Sequence, residues 1–199
     1  MGLDMYLYRH PKGETKAQRD ALQRKLWKEG FEAYKEKYSD VREIAYWRKV
    51  NFLHGYIVKE YAGGEDECQE IPLDIEDIKS ILERVKAVWD ILEKGFLCEA
   101  EPIKDEDGFI YRYEFKEDGK REEIAKQDFE NPQFGGYWLV DEPTAEKCRE
   151  ILPPCDGFFF GSQSINIWYA YDVWDTVRQL EKAIREDNGS YQYIYQASW

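Results

Sequence analysis

The chain has 199 residues, of which 43% are hydrophobic and 16% aromatic. That excludes a disordered polypeptide and supplies one substantial core. A net charge of −13 and a pI near 4.7 exclude general binding to phosphate backbones, which needs surplus Lys and Arg. The charge is uneven: residues 1–50 hold 12 Lys and Arg against 8 Asp and Glu, a net of +4, so the rest of the chain carries −17.

In chain order, Leu3, Met5 and Leu7 alternate with Asp4, Tyr6 and Tyr8, which predicts an N-terminal strand. Residues 14–38 have loose helical spacing broken by Gly30 and look peripheral. Residues 41–60 are predicted to be one helix, with Tyr46, Val50, Leu53, Ile57 and Tyr61 as its buried stripe. Asp74 and Asp77 form a capping box for a second helix, whose apolar residues run from Ile75 to Leu92.

Residues 96–137 read as a β-rich insertion within a single α+β domain spanning 1–199. Four aromatics alternate in FIYRYEF (109–115), and EDGK after it fits a hairpin turn. YWLV (137–140) fits a short strand, and Pro143 opens a short helix ending before Pro153. GFFFGSQS (157–164) is expected to be an apolar strand closed by a Gly-Ser turn. A helix over 171–186 and a strand over 190–199 complete the chain. With helices and strands intermixed and no βαβ repeat, the expected fold is α+β, a mainly antiparallel sheet packed against several helices.

The four cysteines have no zinc spacing, and the only histidines are His10 and His54. No apolar run approaches a membrane span, and MGLDMYLY is too short in its apolar stretch for a signal peptide. These features imply a cytoplasmic protein with reduced thiols, no membrane partner, no metal and no cofactor. GxxxxGK[ST], GxGxxG, GxSxG and HExxH do not occur. Cys155 is a conceivable nucleophile, but nothing around it marks an activated thiol.

Within the expected 41–60 helix, Glu43, Trp47, Asn51 and His54 would stand in one row, with Arg48 on its flank. Trp stacks on planar groups, Arg pairs with phosphate or carboxylate, and Asn reads a donor–acceptor edge. Together with Ser162 and Gln163 of the Gly-Ser turn, they make a candidate site for a small anionic or nucleotide-like ligand. The competing interpretation is a boundary row whose polar tips bond neighbouring strands.

The strings MGLDMYL, YWRKVNFLHGYIV, GFFFGS and YQASW, taken together, resemble a family of small phage and prophage proteins. The resemblance covers both ends and the first third of the chain, leaves 96–137 outside, and brings no catalytic residues with it. It implies a setting in a bacterial host cytoplasm, where small proteins bind or neutralise a host component. Three functions compete. The first is ligand binding without turnover, as in sequestration of a nucleotide-like signal for counter-defence. The second is an interaction module or inhibitor of a host protein, drawing on the acidic body and on aromatics 109–115, which also favour a homodimer. The third is a hydrolase or transferase using His54 as general base.

Overall fold

The computed structural model describes residues 2–157 and 160–199. β1 (Asp4–Pro11) alternates as its sequence requires, with Leu3, Met5 and Leu7 buried. It is an inner strand of an antiparallel sheet ordered β2 (Glu43–Arg48), β1, β8 (Tyr191–Ser198), β3 (Ile71–Leu73). Met5 lies between Trp47 and Ala197, and Leu7 between Ala45 and Tyr195. These six side chains share one face by the period of two, and all six are buried.

The expected 41–60 helix is two elements. Residues 43–48 pair with β1, so they alternate with a period of two: Ala45 and Trp47 are buried, Tyr46 and Arg48 exposed. Lys49 then takes a left-handed φ of 61°. Val50 turns sharply (φ −80°, ψ 69°), and Asn51 donates its N–H to the Lys49 carbonyl at 2.9 Å. That is an inverse γ-turn, and it launches α4 (Asn51–Tyr61) in a new direction. Pairing with a ready strand edge outweighs the helical spacing, because alternate residues of β2 gain cross-strand bonds and Ala45 and Trp47 gain a packed face. Val50, Leu53 and Ile57 are core as expected, but Tyr46 is 39% exposed. Gln179 caps the open edge there, accepting the Tyr46 N–H at 2.9 Å and donating to its carbonyl at 3.0 Å.

The peripheral N-terminal segment forms α1 (Lys16–Glu29), α2 (Phe31–Tyr34), a π-helical turn (Lys35–Ser39) and α3 (Asp40–Arg42). α5 (Ile75–Leu92) begins at the expected capping box, with Asp74 accepting from the Glu76 and Asp77 N–H groups. It packs against α6 (Glu142–Ile151) and α7 (Ile167–Glu186), and its buried residues are Ile78, Ile81, Leu82, Val85, Val88 and Leu92. α7 starts four residues earlier than its apolar spacing predicts. Asn166 caps it by accepting the Tyr169 N–H at 3.0 Å.

A second antiparallel sheet centres on β4 (Phe96–Lys104), which pairs with β5 (Ile110–Phe115), β6 (Arg121–Glu123) and β7 (Tyr137–Val140). The EDGK turn is not a hairpin, because β5 and β6 each pair with β4 rather than with one another. Glu99 donates to the Lys120 carbonyl and accepts from the Lys116 N–H, pinching off 117–119 as a loop. Val140 donates to Ile165 at 3.0 Å and Leu139 bridges Asn166, which ties this sheet to the entry of α7. In GFFFGSQS, Gly157 and Phe160–Ser164 are irregular rather than strand, and Phe158 and Phe159 lie outside the described residues. Among the described residues, no helix is long and apolar enough to cross a membrane.

Candidate functional site

The break between β2 and α4 decides where the site sits. Arg48 ends the strand and Lys49 follows it in the turn, both with exposed side chains. Asn51, the first residue of α4, is buried, and its amide donates to the carbonyls of Phe160 (3.2 Å) and Ser162 (2.9 Å). The loop is thereby drawn over the strand end. Gly161 has φ +93°, a conformation open to glycine, and a Cβ there would lie 3.3 Å from Lys49 Cβ. The Ser162 hydroxyl accepts the Ser164 N–H at 3.1 Å, and the Cys155 thiol donates to the Asn51 carbonyl at 3.0 Å.

The loop, the β2–α4 turn and the start of α7 enclose a cavity of about 340 Å³, lined by Arg48, Lys49, Asn51, Ser162, Trp168 and Asp172 among others. A second cavity of about 240 Å³ shares Ser162, Asn166 and Trp168 with it and is walled by Tyr113, Tyr137 and Trp138. Trp168 belongs to both and is 52% exposed. Its ring is steadied edge-on by Phe134 at 5.1 Å and Tyr171 at 6.1 Å. One chamber is cationic and amide-rich, the other aromatic.

Arg48 approaches Asp4 at 3.8 Å and remains largely exposed, and Lys49 has no ion pair among the described residues. The helix macrodipole places positive potential at the start of α7, on the same side. Against these stands Asp172, whose carboxylate has no hydrogen-bonding or ionic partner among the described residues. Burial, with a smaller contribution from Asp175, pushes its carboxyl up to about 8. Near neutral pH it is therefore mostly protonated and offers one donor and one acceptor.

The expected row of Glu43, Trp47, Arg48, Asn51 and His54 does not exist, since its first three members are on a strand and the last two on a helix. Arg48, Asn51 and Ser162 are brought together at the cleft. Glu43 is half-buried beside Ser39, with a 3.5 Å contact, and burial raises its carboxyl. Trp47 is buried beneath the sheet, and its indole N–H has no partner among the described residues. Gln163 turns away to bond Asp156 at 2.8 Å.

His54, one turn along α4 from Asn51, is buried, with its ring edge-on to Phe160 at 5.1 Å. Its Nδ1 lies 2.7 Å from the Tyr195 hydroxyl and its Nε2 2.9 Å from Asp66. Burial raises the Tyr195 hydroxyl well above its ordinary range, so it stays protonated. In the tautomer with N–H on Nε2, the ring donates to Asp66 and Nδ1 accepts from that hydroxyl. Asp66 also accepts the Trp199 indole N–H at 3.3 Å, so the chain of bonds joins α4 to the C-terminal residue. Cys155 is no activated nucleophile: burial pushes its thiol up to about 11.

Asn166 and Trp168 escape a reading that starts α7 at residue 171, while Lys49 and Asp172 carry no sequence signal of their own that sets them apart from other charged residues. The usable signal was Asn166, a capping residue just before IWYAYDVW, which places Trp168 and Asp172 one turn apart on the same helix face. Among the described residues, no group of three or more His, Cys, Asp or Glu is placed to hold a metal ion. No protein-family model matches the chain, and neither a characterised protein nor a solved structure is significantly similar to it. The fold class, α+β with two antiparallel sheets, and the geometry of the cleft are what bear on function.

Proposed function

We propose that the chain binds a small, planar, anionic ligand of nucleotide type in the cleft beside Trp168 and holds it without turnover. The observation that carries this reading is the pair of adjoining chambers meeting at Trp168, one bearing Arg48 and Lys49, the other walled by Tyr113, Tyr137 and Trp138. Cations suit a phosphate, aromatic faces suit a base, and the two lie side by side. The volumes, about 340 and 240 Å³, suit a small molecule. Ser162 and Ser164 add hydroxyls near the cationic end, and Asp172 offers a donor and an acceptor for a ring edge. The resemblance to small phage proteins supports sequestration in a host cell as the biological use. His54 is buried and lines neither chamber, so it has no part in this reading.

Calorimetric titration with AMP, GMP, CMP, UMP and inorganic phosphate tests the reading. At least one nucleotide should bind more tightly than phosphate and be recovered intact afterwards. Arg48→Ala and Trp168→Ala, both at exposed positions, should each weaken that binding by about tenfold, or ~1.4 kcal/mol. Absence of heat with every nucleotide, or binding indifferent to both substitutions, removes the reading.

A further inference from the structure

Strand β5 presents an uncommitted surface whose sequence matches itself. Phe109, Ile110, Tyr111 and Phe115 are 70%, 41%, 58% and 43% exposed, an unusual concentration of large apolar side chains in one short segment. The strand pairs with β4 on one side, and among the described residues nothing pairs with its other side.

The backbone direction follows from Glu99. Its N–H and C=O both engage the β5–β6 side of β4, through Lys120 and Lys116. By the period of two, Glu101 and Ile103 also bond toward β5. Their partners Glu114 and Arg112 are therefore satisfied by β4. Tyr113 and Phe115 turn their N–H and C=O groups to the open edge. The bulge opposite Ile103 and Lys104 ends this regular stretch at Tyr111.

Such an edge is a template for another strand. Arg112 and Glu114 would discourage pairing with most sequences, yet they complement one another. In an antiparallel pair centred on Tyr113, the two Tyr113 residues exchange backbone bonds about a two-fold axis. Arg112 then faces Glu114 of the second copy, and the pairing occurs twice. That position is the non-hydrogen-bonded kind, where side chains come closest. Tyr111 faces Phe115 on the opposite side of the sheet. The parity of the outward-facing groups and the charge pattern select the same register. In the single chain Arg112 and Glu114 pair with each other along the strand, both exposed.

We propose that the protein forms a homodimer by antiparallel pairing of Ile110–Phe115 with the same strand of a second copy, centred on Tyr113. The inference is independent of the ligand reading, although Tyr113 also walls one chamber of the cleft, so the test variants leave Tyr113 intact.

Sedimentation velocity over a concentration series on the whole chain tests it. The wild type should show a concentration-dependent monomer–dimer equilibrium. Arg112→Glu and Glu114→Arg each place like charges across the axis and should raise the dimer dissociation constant by about tenfold or more. An equimolar mixture of those two variants makes every cross-strand pair opposite in sign again and should restore the dimer, as should the doubly swapped chain. Circular dichroism of both variants should match the wild type, because both positions are exposed. A wild-type monomer at every concentration overturns the proposal. So does a dimer indifferent to both reversals, or one that the mixture and the double swap fail to restore.

Discussion

The side-chain amide of Asn51 holds the backbone of Ser162 at 2.9 Å, although 111 residues separate them. The first residue of α4 thus fixes the loop that roofs the cleft, and Phe160 is held by the same amide at 3.2 Å. Asn51→Ala leaves two carbonyls without their donor and should cost about 2 kcal/mol. Asn51→Asp replaces the donor with a carboxylate facing both carbonyls and should cost more. Urea unfolding gives the stabilities, and faster amide exchange across 160–164 should accompany both. Equal stability of the aspartate and alanine variants would sink this account of the amide.

Tyr195 and His54 make another long-range polar contact of α4. Tyr195→Phe removes a hydroxyl and strands His54 Nδ1 in the core. The expected loss is about 1–3 kcal/mol, read as a lower urea midpoint with an unchanged slope. A phenylalanine variant as stable as the wild type would mean that the bond contributes nothing.

His10 should make the fold sensitive to acid. Burial, with help from Arg42 and Arg19, pushes its imidazole down to about 4, against an ordinary 6.5. The Glu14 carboxylate lies 3.3 Å from Nδ1, but that nitrogen accepts from Arg42 at 2.7 Å, so the folded ring is neutral. A lowered folded value means that the unfolded chain takes up the proton first. Stability is complete above pH 6.5 and falls as the pH drops toward 4, by roughly 2 kcal/mol. His10→Gln keeps an acceptor for Arg42 but does not titrate. Its melting temperature should fall less than that of the wild type between pH 7 and pH 5, and parallel curves would dismiss the effect.

Asp172 has the opposite sign. Its carboxyl is raised from 3.8 to about 8 in the fold, so the folded chain holds the proton more tightly than the unfolded chain. Rising pH therefore costs the wild type stability between those two values. Asp172→Asn should gain on the wild type progressively across that window, reaching on the order of 2 kcal/mol once solvent reaching the cleft is allowed for. Thermal melts of both chains at pH 5 and pH 8.5 measure the difference, and a constant offset would contradict it.

Much of the framework is legible in the sequence because local rules decide it. Alternation marks β1 and β8, the Asp74–Asp77 box starts α5, and Pro143 opens α6. In EIAYWRKVNFLHGYIV the same local rules mislead. Tyr46, Val50, Leu53 and Ile57 satisfy helical spacing, while Ala45 and Trp47 satisfy strand alternation. Propensity and period leave the two in balance, and the open edge of β1 tips it.

The sequence by itself determined the α+β class, the capped and alternating elements, and the presence of aromatic and cationic groups in the segments that flank the cleft. Only the tertiary structure decided which of those groups meet. It sends Trp47 and His54 into the core and keeps Arg48 and Asn51 at the cleft with Ser162. It also brings in Trp168 and Asp172 from a helix more than a hundred residues away. The physical reason is that a side chain's direction depends on the element carrying it, and β2 became a strand through hydrogen bonds to residues distant in sequence.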